Sequence, residues 1–161
     1  MEQDIHFMRQ ALALAQEAAD EWETPVGALI VRNGEVIATG RNRREIGKNA
    51  LYHAEIEAID NACKKLGGWR LPGCTLYVTL EPCPMCTGAI INSRIERVVF
   101  GASDLKAGSM GSVIDLTELP YNHKPAVERG ILQEECAEML SSFFKALRKH
   151  KEQIKNENSC H

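Results

Sequence analysis

The chain has 161 residues, 44% of them hydrophobic and 25% charged, with a formal net charge of −3. This length supports one domain with a real core, and the composition is that of a globular protein and not of a disordered or fibrous one. No apolar run approaches the ~18–20 residues of a membrane span, and residues 1–10, with Glu2 and Asp4, lack the basic and apolar regions of a secretory signal, so a cytoplasmic protein with reduced cysteines is expected.

Ile5, Met8, Leu12, Ala15, Ala19 and Trp22 recur at three- and four-residue spacing and predict an amphipathic helix over 4–21, closed by Pro25. An apolar strand is expected over 26–31. Asn33-Gly34 supplies the hairpin turn, and 35–42 returns as a second strand. Residues 53–66 predict a helix with Ile56, Ile59, Ala62 and Cys63 on one face, stopped by Gly67-Gly68. A β-rich strand over 75–80 leads into a helix opened by Pro82 and running to about residue 91. A short strand follows over 97–100, then a glycine-containing loop over 102–112, a short helix over 113–119 and a last strand over 127–130. From Ile131 onward, Leu132, Cys136, Met139, Leu140, Phe143, Phe144 and Leu147 mark a long helix. Strands alternating with helices imply an α/β fold, a three-layer α/β/α sandwich. It forms a single domain over 1–155 with a frayed polar tail over 156–161.

The chemistry concentrates in His53-Ala54-Glu55 and Pro82-Cys83-Pro84-Met85-Cys86. One imidazole and two thiolates suit Zn²⁺, one ion per chain. Three ligands leave the fourth position for water, the mark of a catalytic site, and zinc lowers the pKa of such a water to about 7. Glu55, two residues from the imidazole, is placed to move the water's proton without ligating the metal. A redox Cys-x-x-Cys pair does not explain His-Ala-Glu, and a closed structural site has no use for Glu55. The placement puts the three ligands, and Glu55, at two helix starts. There the helix dipole favours thiolate, and the i, i+3 spacing of Cys83 and Cys86 points both sulfurs one way.

Charge is unevenly spread. Residues 2–23 hold six acids against Arg9, whereas Arg41, Arg43, Arg44 and Lys48 cluster against Glu45, and Lys145, Arg148, Lys149, Lys151 and Lys155 against Glu152. The two basic segments form a candidate phosphate-binding footprint, the alternative being solvated faces.

At its two motifs the chain resembles the zinc-dependent nucleoside and nucleobase deaminases. Pro25-Val26-Gly27-Ala28, Thr75-Leu76-Tyr77-Val78-Thr79-Leu80-Glu81, Ser93-Arg94-Ile95, Val98-Val99-Phe100-Gly101-Ala102, Asp104, Lys106-Ala107-Gly108, Asn122-His123 and Phe143-Phe144 narrow the likeness to the bacterial tRNA-specific adenosine deaminase family. The resemblance implies a cytidine deaminase-like fold with a five-stranded mixed sheet. It implies a homodimer that converts the wobble adenosine of an arginine tRNA anticodon to inosine. It implies His53, Cys83 and Cys86 on zinc and Glu55 as proton shuttle. By position it matches Asn42 to the residue that reads the purine and Asp104 to one that meets the neighbouring nucleotide. Val26, Ala54 and Lys106, and Arg148 on the basic C-terminal helix, complete the expected substrate-binding set. Tyr52 and Leu105 depart from the family pattern, at the nucleotide pocket and not at the metal. The apolar run Ala89, Ile90 and Ile91 offers an independent hint of a subunit face, against simple core packing. The rival functions are deamination of a free nucleobase or nucleoside of guanine or cytosine type, cytosine chemistry on a polynucleotide, and a zinc-stabilised binding module.

Overall fold

The computed structural model describes residues 1–160; His161 lies outside them. Five strands form one mixed sheet in the order β2-β1-β3-β4-β5. They are β1 (Gly27–Arg32), β2 (Glu35–Arg41), β3 (Cys74–Leu80), β4 (Arg97–Ala102) and β5 (Ala126–Arg129). β1 is antiparallel to both β2 and β3, whereas β3, β4 and β5 run parallel. Asn33 and Gly34 both take positive φ, 52° and 75°, as the two-residue hairpin turn requires. The register shifts between Ile30 and Val31.

Helices cover both faces. α1 (Glu2–Asp20) and α4 (Gln133–Ser159) bury Phe7, Met8, Ala11, Leu12 and Cys136 against Leu29, Val31, Tyr77 and Val99. α2 (Ala54–Leu66) and α3 (Pro84–Asn92) bury Ala54, Ala58, Ala62 and Ile90 against Ala28, Ile30, Leu76, Val78, Val98 and Phe100. The strand residues alternate between the two cores, as a sheet covered on both faces demands. The five-stranded α/β/α architecture is as expected.

Several details differ from the pattern of the sequence. The buried stripe of α2 is Ala54, Ala58 and Ala62, not the larger Ile56 and Ile59, which are only partly covered. The reason is close approach: a Cβ on Gly40 of β2 would overlap the carbonyl oxygen of Ala54, so the helix rests on backbone and only small side chains fit beneath it. Ile90 and Ile91 face the core, which removes them as a hint of a subunit face. Between residues 113 and 119 only Leu116–Glu118 is helical, a single 3-10 turn capped by the Asp115 carboxylate. α4 starts one residue after Leu132, whose φ of 55° is left-handed, so Ile131 belongs to the turn. The helix also continues through Ser159: residues 156–159, expected as a frayed tail, form its exposed last turn, since nothing there breaks the backbone ladder.

A polar cluster ties α1 to the sheet. Arg97 donates to both carboxylate oxygens of Asp4 at 2.8 and 2.7 Å, and the Tyr77 hydroxyl donates to Asp4 Oδ1 at 2.7 Å.

Candidate metal centre and active site

His53 is the residue before α2 and has extended backbone (φ −84°, ψ 153°); Cys83 precedes α3 in the same way (φ −75°, ψ 176°). Pro84, with no N–H to lose, occupies the first turn of α3 and helps to start the helix directly at the ligand. Cys86 then lies one turn in, buried. The two helix starts converge, so that ligand atoms of His53, Cys83 and Cys86 all lie within 4.8 Å of one another. His53 Nδ1 is 3.6 Å from each sulfur. A tetrahedral ion with N and S bonds of about 2.05 and 2.3 Å would separate N from S by about 3.6 Å, so the residues fit zinc in geometry as well as in donor type.

The protons tell the same story. A hydrogen bond from Cys86 and the neighbouring His53 bring the Cys83 thiol down to about 4. That hydrogen bond and burial push Cys86 upward, and the contact with Cys83 raises His53. These opposed shifts come from three donor atoms crowded together, as a cation would hold them.

Glu55 lies on the first turn of α2 and is 4% exposed. Burial pushes its carboxyl up to about 7, reinforced by the charge of Cys83 and opposed by His53. A group poised near neutrality can both take and return a proton.

Above the ligands opens a cavity of about 570 Å³, within the range of small-ligand sites. It brings together His53, Ala54, Glu55 and Cys83 with Val26, Asn42, Asp104 and Lys106. All of these were expected at the site. Arg148 is not part of the cavity; it is exposed on α4, one turn beyond Phe144, which does line it along with Leu140. Of the two departures, Leu105 stands on the rim, 83% exposed, while Tyr52 packs over Gly47.

Two candidate substrate residues also have local duties. Asn42 Nδ2 donates to Thr24 O and its Oδ1 accepts from Arg44 N, both at 3.2 Å, which fixes the amide while leaving one donor and one acceptor direction open. Asp104 Oδ1 accepts from the amides of Lys106 and Ala107 and so folds its own turn.

The basic segment 41–48 is weaker than its composition suggests. Arg41 is bound to Glu17 and Glu21, and Arg43 to Glu57. The sequence placed these acids in other segments, and only the packing of α1 and α2 beside β2 brings them together. Among the described residues no ion pair engages Arg44, Lys48 or the bases of 145–155.

Sequence reasoning missed two buried carboxylates, of which Glu81 lines the cavity and Glu23 directly precedes Thr24, which lines it. Glu23, 0% exposed, accepts from the amides of Glu45 and Ile46 and pins the 43–48 loop. Glu81, 2% exposed, accepts from Asp104 N, Met110 N, Ser112 N and Ser112 Oγ. Burial alone would raise its pKa, but these donors outweigh burial and hold the carboxyl below its usual range. An acid at the end of a buried strand signals an unseen set of donors.

Residues 2–148 match the MafB19-like deaminase family. The chain is 52% identical over 152 residues to a tRNA-specific adenosine deaminase of Bacillus subtilis, covering 94% of each. It is 42% identical to the protein of that name from Streptococcus pyogenes, covering 97% of this chain and 92% of the relative. A structure solved in studies of A-to-I editing by tRNA:A34 deaminases superposes with a TM-score of 0.79 at 44% identity, over 83% of this chain and 98% of that one. The guanine deaminase of Nitrosomonas europaea shares the fold at 28% identity and a TM-score of 0.71, over 84% of this chain and 81% of that one. A His/Cys/Cys centre beside a buried glutamate, on a fold and sequence so closely shared, makes this chain a member of the deaminase family that includes the bacterial tRNA-specific adenosine deaminases.

Proposed function

We propose that this hydrolytic deaminase converts the wobble adenosine of an arginine tRNA anticodon to inosine, holding one zinc in each subunit of a homodimer in the cytoplasm. The observation that carries the reading is Glu55, buried beside the His53, Cys83 and Cys86 set at the floor of the cavity. The names of the relatives support tRNA as substrate.

Zinc on His53, Cys83 and Cys86 would supply an acidified water and Lewis-acid stabilisation of charge. Glu55 takes a proton from the attacking water as the water oxygen bonds to C6 of the adenine, and delivers it to ring N1. It then passes the second proton to the exocyclic amine, which leaves as ammonia while the C6–O double bond of inosine forms. The open donor and acceptor of Asn42 read the purine edge. Val26, Ala54, Leu140 and Phe144 supply apolar walls that exclude bulk water. The base must leave its stack to reach Glu55, and an anticodon loop presents it largely unpaired. Asp104 and Lys106 on the rim meet the neighbouring nucleotide, and Arg44, Lys145, Arg148 and Lys149 meet phosphates.

The test is to incubate zinc-loaded protein with an arginine tRNA carrying a wobble adenosine, and to assay that position for inosine. Inosine at that position, with free adenosine and guanine untouched, is the expected result. Turnover of a free base or nucleoside as efficient as that of the RNA would overturn it. Sedimentation should show a species of twice the 17.9 kDa chain mass at micromolar concentration.

A further inference from the structure

We propose that Glu81 is a positioning residue for the substrate: its carboxylate holds the 103–112 loop on the cavity rim, and the affinity for RNA depends on that hold. The proposal rests on the reading of the protein as an RNA deaminase.

Glu81 stands two residues before Cys83, lines the cavity and is an acid, so a part in proton transfer or metal binding is the obvious assignment. Its hydrogen bonds exclude that. Oε1 accepts from Asp104 N at 3.1 Å and from Ser112 Oγ at 2.5 Å. Oε2 accepts from Met110 N and Ser112 N, each at 3.1 Å. A carboxylate has about four acceptor positions, and four donors fill them. None remains for a substrate proton or an ion.

All four donors belong to one loop, 23 to 31 residues further along the chain. Glu81 therefore holds both ends of the segment that carries Asp104, Leu105 and Lys106. Between the ends, the Asp104 side chain folds the turn, Gly108 N donates to Asp104 O, and Ser109 N donates to Pro82 O. Gly108 has no room for a side chain, because its Cβ would overlap the Glu81 carboxyl group. At the far end Arg129 donates to Met110 O at 3.0 Å. A loop whose tip holds Leu105 out in solvent and whose 108–110 stretch is buried is thus built around a single buried anion. Without it three backbone amides would lose their partners, and the rim would lose its shape before any residue that touches the reacting atoms moved.

The test uses the zinc-loaded full chain and an anticodon stem-loop with the target adenosine. Glu81→Gln keeps the shape but turns one acceptor oxygen into a donor facing loop N–H groups. Ser112→Ala removes one donor from the loop side and leaves Glu81 intact. For Glu81→Gln, zinc content should stay at the wild-type level, KM should rise at least about tenfold, and kcat should fall much less. Hydrogen exchange should quicken in 104–112 and not in α2. Ser112→Ala should move KM and exchange the same way by less, and the double variant should be no worse than Glu81→Gln, because Ser112 Oγ acts through Glu81. An unchanged KM in Glu81→Gln, or full additivity of the two changes, overturns the proposal. If Glu81→Gln loses zinc or fails to fold, Ser112→Ala decides: raised KM with zinc intact supports the role, unchanged KM refutes it. Absence of inosine from the wild-type reaction would overturn the RNA deaminase reading instead, and with it the substrate role, while the exchange measurement would still report whether Glu81 holds the loop.

Discussion

Arg41 Nη1 lies 2.6 Å from a carboxylate oxygen of Glu17, and its second nitrogen lies 2.9 Å from Glu21. The strand that leads to Asn42 therefore spends its first arginine on α1. Binding of RNA phosphates should fall mainly to Arg44 and to the helical bases of α4. Replacing Lys145, Arg148 and Lys149 by Ala should weaken binding of an anticodon stem-loop and flatten its log–log salt slope by up to about 2. Arg41→Ala should leave the slope nearly unchanged. Titrations across a salt series compare the three proteins; equal slopes for wild type and the triple variant would reduce the α4 bases to a solvated face.

Metal content is the second measurement. Three ligands with zinc-like spacing predict one zinc per chain. Cys83→Ala or Cys86→Ala should lose the metal and melt at lower temperature, because binding and folding are coupled. Elemental analysis showing no zinc in the wild type, or two per chain, counts against the centre.

Glu55→Gln should keep zinc and fold but lose about 10²–10⁴ of the turnover rate. The amide fits the buried site without moving protons. Retained turnover, or loss of the metal, would remove Glu55 from the role of shuttle.

The Asp4 cluster should give a pH-dependent stability remote from His53 and the two cysteines. The hydrogen bond from Arg97 holds the Asp4 carboxyl below its usual 3.8, despite opposing burial. Its contribution is therefore present above pH ~4 and is lost as the pH falls through the lowered folded-state value. Tyr77 works in the opposite direction: burial, then the bond to Asp4, push it up to about 12, so its contribution lasts below pH ~10 and fades as pH rises toward 12. Asp4→Asn should cost about 1–3 kcal/mol near neutrality. Urea unfolding at pH 7 and in steps toward pH 2 should show the gap to wild type narrowing; a constant gap would falsify the linkage.

The elements and the clustered His53, Cys83 and Cys86 were legible because their signals are local. Asn33-Gly34 makes its turn, a proline opens the third helix, though at Pro84 and not at Pro82, and a histidine and two cysteines are a metal-type donor set wherever they lie. What stayed hidden depends on residues far apart in sequence. Nothing near Glu81 shows that its donors begin at Asp104, nothing near Arg41 shows that Glu17 and Glu21 will face it, and nothing in α2 shows why its alanines, rather than its isoleucines, go inside. Leu132 illustrates the remaining kind of miss: its left-handed backbone is imposed by the turn from β5 into α4, against the preference of a leucine.

The contact of Gly40 with the first turn of α2 reaches further than packing. Glu55 is mounted on a helix that leans on β2, the two sulfurs lie at the start of a helix that follows β3, and β1 runs between the two strands. The alignment of carboxylate with thiolates is thus a dimension of the sheet, as the gap between two jaws is a dimension of the frame that carries them. A single methyl group at position 40 would shim one jaw and leave the other where it was. Gly40→Ala should spare the α1–α4 core and displace the first turn of α2, which hydrogen exchange across the two helices would show. A residue with no side chain to take part in the reaction sets the tolerance to which its machinery is built.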